Sequence, residues 1–268
     1  MVLDDSQLER YARHIMLKQI GGAGQQKLLN AKVLVIGAGG LGCPLLSYLA
    51  AAGVGTIGIV DDDKVSLSNL QRQTLYATAD VGRLKTAAAA DRLAQLNPDC
   101  TIIRHTTRLT PDNALELINA YDVVADGCDN FTTRFLVNDA CYFAQKPLVS
   151  AAVGQFDGQL SCFRAYENTP SGTPNPCYRS LVPAAPDNAD EMTCAQTGII
   201  GALTGVMGSL QALEVIKELT GAGETLTGRL LIYDALTAQS RIVRLPWDPA
   251  NPLNGETPIF SDLSHHSG

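Results

Sequence analysis

Asn69, Arg72 and Lys85 carry phosphate-handling chemistry, and they follow a run of acids, Asp61 to Asp63. Those acids follow a glycine-rich turn, G-A-G-G-L-G, at residues 37–42. An amide, a guanidinium and an ammonium of this kind suit the polyphosphate of a nucleotide, and a carboxylate about 20 residues past the glycines suits a ribose hydroxyl. Further on, Asp126-Gly127-Cys128-Asp129-Asn130 closes an apolar run. A carboxylate at such a strand end can hold Mg²⁺, a hard cation that prefers oxygen ligands. Arg13 lies in R-Y-A-R-H near the start of the chain. Each residue also has an ordinary reading: Arg72, Lys85 and Arg13 as solvated charges, and Asp129 as a helix cap. Taken together they point to an enzyme that splits ATP between the α and β phosphates, where cations stabilise the departing pyrophosphate.

These residues require a scaffold that aims them at one place. Lys32 to Ile36 is an apolar, β-branched run, as expected of a strand buried on both faces of a parallel sheet. Gly37, Gly39 and Gly42 fit G-x-G-x-x-G, with Gly40 between them. In that motif the glycines allow a tight turn, close approach of backbone to phosphate, and packing of helix on strand. A helix over 41–52 would point its N-terminus at the phosphates. By itself this motif leaves NAD open as well as ATP.

Along the chain, Ser6 and Glu9 predict a capping box and a first helix over 7–17. Strands are expected at 56–60, 101–104, 121–126 and 147–153, with helices at 84–96, 112–119 and 131–144 between them. Then the rhythm changes to a strand at 158–165, a proline-rich loop over 166–191, a long helix at 199–219 and an antiparallel pair at 229–233 and 240–245. The fold class is α/β: a Rossmann-like doubly wound sheet, mostly parallel, extended by antiparallel strands at its C-terminal side. One domain is expected over 1–248, with a nucleotide-binding part at about 30–155, a second part at about 156–248, and a weakly structured tail at 249–268.

Composition narrows the classes. The chain has 268 residues, 46% hydrophobic, enough for a large core, and its net charge of −7 argues against nucleic-acid binding. No apolar run suits a membrane span, and the charged N-terminus does not read as a signal peptide. Seven scattered cysteines suit a reducing cytoplasm and mostly inert core thiols.

The runs G-A-G-G-L-G, S-N-L-Q-R-Q, V-G-R-L-K, D-G-C-D-N-F-T-T-R-F-L-V-N-D-A and T-G-V-M-G-S-L-Q-A-L-E-V-I-K resemble the MoeB/ThiF family, ubiquitin-activating-enzyme-like adenylyltransferases. The likeness covers about residues 8–245. It implies ATP- and Mg²⁺-dependent adenylation of the C-terminal glycine of a small ubiquitin-like sulfur carrier ending in Gly-Gly, by a homodimer. Carried onto this sequence, Asp61 would hold the ribose with Asp63 nearby. Asn69, Arg72, Gln73 and Lys85 would meet the nucleotide, and Asp129 the Mg²⁺. Arg13 would reach across from the partner subunit, and the strands after 158 would receive the carrier. Cys194, in M-T-C-A-Q-T-G before the long helix, matches a cysteine that joins in sulfur transfer in some members and is dispensable in others.

The family's structural zinc, held by two C-x-x-C pairs, would fall on Cys177 and Ser180, and on Asn251 and Asn254. One thiol of four does not make a tetrahedral thiolate site, so no zinc is predicted, and packing of Trp247 is expected to compensate. No fused rhodanese-like domain is expected, which makes any sulfur donor a separate protein. Two other classes stay in competition: an NAD-dependent oxidoreductase and a non-catalytic nucleotide-binding scaffold.

Overall fold

The computed structural model describes residues 3–184 and 198–266. Its centre is an eight-stranded sheet in the order β3-β2-β1-β4-β5-β6-β7-β8. The strands are β1 (Lys32–Ile36), β2 (Thr56–Val60), β3 (Thr101–His105), β4 (Val123–Asp126), β5 (Leu148–Val153), β6 (Asp157–Phe163), β7 (Arg229–Asp234) and β8 (Gln239–Arg244). The first five pair in parallel, and β5 through β8 pair antiparallel.

The apolar run of β1 has a direct cause. Val33 and Val35 pack into one core layer, and Leu34 and Ile36 into the other. Both faces of the strand are therefore covered, and each fully buried aliphatic side chain contributes about 1.5–3 kcal/mol. The first layer is built on α3 (Gly42–Ala51), α4 (Lys85–Leu96) and the long α8 (Gly201–Thr220), through residues such as Leu46, Leu93 and Met207. The second is built on α5 (Pro111–Asn119), α6 (Phe131–Phe143) and the short α7 (Tyr178–Leu181). No helix among the described residues is long and apolar enough to cross a membrane.

Three local readings change. The first helix, α1 (Asp5–Ile15), starts earlier than expected, because Asp4 is its N-cap and Gln7 closes the capping box rather than Ser6 and Glu9. The Asp4 carboxylate takes the cap by accepting the Gln7 N–H at 2.8 Å, and α1 buries Tyr11 about two turns further on. A second helix, α2 (Gly21–Asn30), was not expected from G-G-A-G-Q-Q-K-L-L-N. It is held by tertiary contacts: Leu28 enters the core, and Gln25 Nε2 donates to the Ala52 carbonyl at 2.9 Å. The tail from Asp248 has little regular secondary structure but is not loose. Leu253 and Leu263 are buried, and His265 and His266 each meet Asp139. Spacing of apolar residues does not reveal such a segment, because single anchors rather than a stripe hold it down.

Candidate active site

The sheet's winding reverses between β1 and β4, and in such sheets ligands bind beyond the carboxyl ends of the strands at that crevice. A cavity of about 820 Å³ opens there. Its walls include Gly37, Gly39, Gly40, Asp61, Asp63, Arg72, Gln73, Lys85 and Asp129. Gly37 follows β1 with a φ of 89°, a conformation that glycine adopts without strain. Gly42 lies behind the wall rather than on it. A Cβ there would stand 2.1 Å from the Gly37 carbonyl oxygen, so its glycine serves the turn itself.

At the end of β2, Asp61 Oδ2 accepts the Ala38 N–H at 2.8 Å, and Oδ1 accepts that of Asp63 at 2.9 Å. Burial raises the pKa of Asp61, and the Lys85 cation opposes that shift. Lys85 is buried at the start of α4 and lies 2.7 Å from Asp63 and 4.0 Å from Asp61. Arg72 is half-buried, with Nη1 donating to the Ser68 carbonyl at 3.2 Å. Gln73 is buried, and its Oε1 has no partner among the described residues, an acceptor that a bound hydroxyl or amine would satisfy. Asn69 does not line the cavity. Its side chain accepts the Ser66 N–H at 3.2 Å and caps a short 3-10 turn.

Across the cavity, the turn after β4 carries Asp129. Asn130 is the N-cap of α6, accepting the Thr133 N–H at 2.8 Å, so Asp129 is not needed as a cap and stays exposed on the cavity wall. The turn is held from beneath by Arg134. This buried guanidinium donates to the Ala151 carbonyl at 2.8 Å and to the Cys128 carbonyl, and it pairs with Asp126 at 3.4 Å. Asp126 in turn accepts from Ser150 Oγ at 3.0 Å and from the Cys128 N–H at 3.0 Å. Sequence reasoning gave no role to Arg134, Asp126 or Ser150. The signal was an arginine inside the otherwise apolar helix F-T-T-R-F-L-V, which buries a charge only if a partner waits for it. It also missed Thr107, Arg108 and Leu109, which wall the cavity after β3.

Arg13 is exposed on α1 and does not line this cavity. Cys194 lies outside the described residues. The six cysteines among the described residues are all buried. Burial raises the thiol pKa of each of them, which keeps them inert.

A nucleotide-binding sheet with cations and a free carboxylate at its switch point defines a class, and comparison with known proteins narrows it. The ThiF family model matches residues 11–253, and the chain belongs to that family. It is 47% identical over 257 residues to a sulfur carrier protein adenylyltransferase of Thermus thermophilus, covering 96% of this chain and 94% of that protein. It is 48% identical over 250 residues to a probable adenylyltransferase/sulfurtransferase MoeZ of Mycobacterium tuberculosis, covering 93% of this chain and 63% of that one. Bovine adenylyltransferase and sulfurtransferase MOCS3 is 45% identical over 265 residues, with 98% of this chain and 57% of that one covered. The chain thus spans somewhat over half the length of the last two. Among solved structures, Escherichia coli MccB with MccA-N7isoASN superposes with a TM-score of 0.77 at 21% identity, over 94% of this chain and 76% of that one. At that identity the likeness speaks for the fold.

Proposed function

We propose that this chain adenylates the C-terminal glycine carboxylate of a small ubiquitin-like sulfur-carrier protein, using ATP and Mg²⁺ and releasing pyrophosphate. The observation that carries this reading is the gathering of Asp61, Arg72, Lys85 and Asp129 around one cavity, in a chain 47% identical to a sulfur carrier protein adenylyltransferase over nearly its whole length. A hydride-transfer enzyme would have no use for that set.

The residues fit the nucleotide chemically. The unpartnered Gln73 Oε1 and the Asp61 carboxylate offer acceptors to the nucleoside, and Arg72 and Lys85 offer donors to phosphate. Lys85 is held between Asp61 and Asp63, so its ammonium is positioned before any ligand arrives. The exposed Asp129 carboxylate would hold Mg²⁺, which neutralises phosphate charge and so favours loss of pyrophosphate. In the reaction a carboxylate oxygen of the carrier attacks the α-phosphorus. The bond to the oxygen bridging the α and β phosphates breaks, and that oxygen leaves with pyrophosphate. Arg72 and Lys85 stabilise the charge that builds on the leaving group, an effect worth most in a site shielded from water.

Arg13, exposed and away from its own chain's cavity, is assigned to the cavity of a second copy, which makes the homodimer the active form. A trans arginine in phosphoryl transfer can be worth about 10³ to 10⁵ in rate. The part from about 156 to 248, with the antiparallel β6 to β8, is assigned to the carrier, whose tail would enter beside Gly154 and Gln159 on the cavity wall. Asn69 acts through the turn that presents Arg72. A separate protein is the expected sulfur donor, and the cytoplasm the expected compartment.

The test is ATP–pyrophosphate exchange with Mg²⁺ and a panel of carriers ending in Gly-Gly, with Asp129→Ala as the control. Exchange that depends on one carrier and is lost in the variant supports the reading. ATP binding without exchange for any carrier returns the chain to a non-catalytic scaffold.

A further inference from the structure

The four positions that would hold the family's zinc come together only in part, and with the wrong chemistry. Asn251 Nδ2 donates to Cys177 Sγ at 3.2 Å and to Ser180 Oγ at 3.1 Å, and both Asn251 and Cys177 are almost fully buried. A structural zinc takes four thiolate or imidazole ligands at about 2.0–2.3 Å. Here one position is a thiol, one a hydroxyl and two are carboxamides. Moreover, an N–H group aimed at two would-be ligands uses the lone pairs that a cation would need. The fourth position, Asn254, is turned to other work: its Nδ2 donates to the carbonyls of Asn175 at 2.9 Å and Ala165 at 3.3 Å. Its main-chain carbonyl accepts Trp247 Nε1 at 2.9 Å, while its side-chain Oδ1 is buried without a partner among the described residues.

A second cluster close by has ligand types that suit a metal: Asp139, His265 and His266. It too is spoken for. Arg179 donates to both carboxylate oxygens of Asp139, and Asn138 Nδ2 adds a bond at 2.9 Å. The two imidazoles lie 2.8 and 2.9 Å from Oδ2. A fully occupied carboxylate with a guanidinium 2.6 Å away leaves a cation neither a lone pair nor a favourable field.

We infer that this chain has replaced the zinc clip of its family with a metal-free one, in which the buried side-chain amide of Asn251 ties the C-terminal segment to Cys177 and Ser180. Asp139 fastens the same two segments a second time, through Arg179 on α7 and the histidines of the tail. The consequence reaches the cavity, because Tyr178 and Val182 of the clipped segment form part of its wall.

The experiment measures bound zinc by mass spectrometry after purification in zinc-supplemented medium, and thermal unfolding with and without a strong chelator. The natural sequence is expected to hold far less than one zinc per chain and to keep its Tm in chelator. Asn251→Ala, or Asn251→Ser if the alanine variant does not fold, lowers Tm by about 3 °C or more. The triple variant S180C/N251C/N254C gains about one zinc per chain and becomes chelator-sensitive. One zinc per chain in the natural sequence, a parental Tm in the Asn251 variants, or a folded triple variant that takes no zinc would each overturn the inference.

Discussion

The cavity and the C-terminal clip both gather polar and charged side chains and use them in opposite ways. Around the cavity, charged groups are held but not fully satisfied. Lys85 leans on two carboxylates, Asp129 is exposed, and Gln73 keeps a buried acceptor without a partner. At the clip Asp139 collects the donors of four side chains, and the one acceptor left over nearby is the buried Oδ1 of Asn254, which has no partner among the described residues. Incomplete satisfaction is what a site offers a ligand, whereas saturation gives a structural joint. An ionisable cluster therefore has to be judged by the lone pairs left over and not by its residue types.

Substitutions on either side should separate into loss of stability and loss of rate. The largest effect is expected at the joint. Asp139→Ala leaves Arg179 buried without its partner and should cost about 3–5 kcal/mol in urea denaturation. A loss under about 1 kcal/mol would be that of a surface pair and would end the contrast drawn here. At the cavity, Asp129→Ala should lower ATP–pyrophosphate exchange by about 10² to 10³ while leaving Tm in place. A variant that unfolds as readily as Asp139→Ala would instead make Asp129 a structural residue.

Acid sharpens the same comparison. Burial alone would raise the pKa of Asp139, but hydrogen bonds from Arg179, with those of His266 and His265, hold it well below the ordinary carboxylate range. A carboxyl lowered on folding stabilises above its unfolded value near 3.8 and loses that contribution as pH falls toward its folded value. Between about pH 5 and pH 3 the parent should therefore lose stability more steeply than Asp139→Asn, as read from Tm against pH. Parallel curves would mean that the charge of Asp139 contributes nothing.

The smallest effect belongs to Asn69. As a turn cap it should cost about 1 kcal/mol when replaced by alanine, with the KM for ATP nearly unchanged. A tenfold rise in KM without loss of stability would move Asn69 from the turn into the phosphate contacts.

Much of the cavity could be read before the fold was seen. Gly37, Asp61, Arg72 and Lys85 belong to a βα turn and the segment after it, and such motifs fix local backbone geometry through glycine and strand periodicity. Asn69 shows the limit of that reading: its residue type suits phosphate and a turn cap equally, and only the position of the Ser66 N–H, 3.2 Å away, separates the two. Gly42 carries the same lesson, since its neighbour is the Gly37 carbonyl rather than a phosphate.

The sequence by itself determined the alternation of strands and helices, the glycine turn and the acids that close β2, because hydrophobic periodicity and turn chemistry act over a few residues. Only the tertiary structure decided where Arg134 finds Asp126, that Asn251 meets Cys177 74 positions away, and that the tail returns to Asp139. A buried polar group is tolerated only if a partner is present, and the chain order does not say which distant group that partner will be.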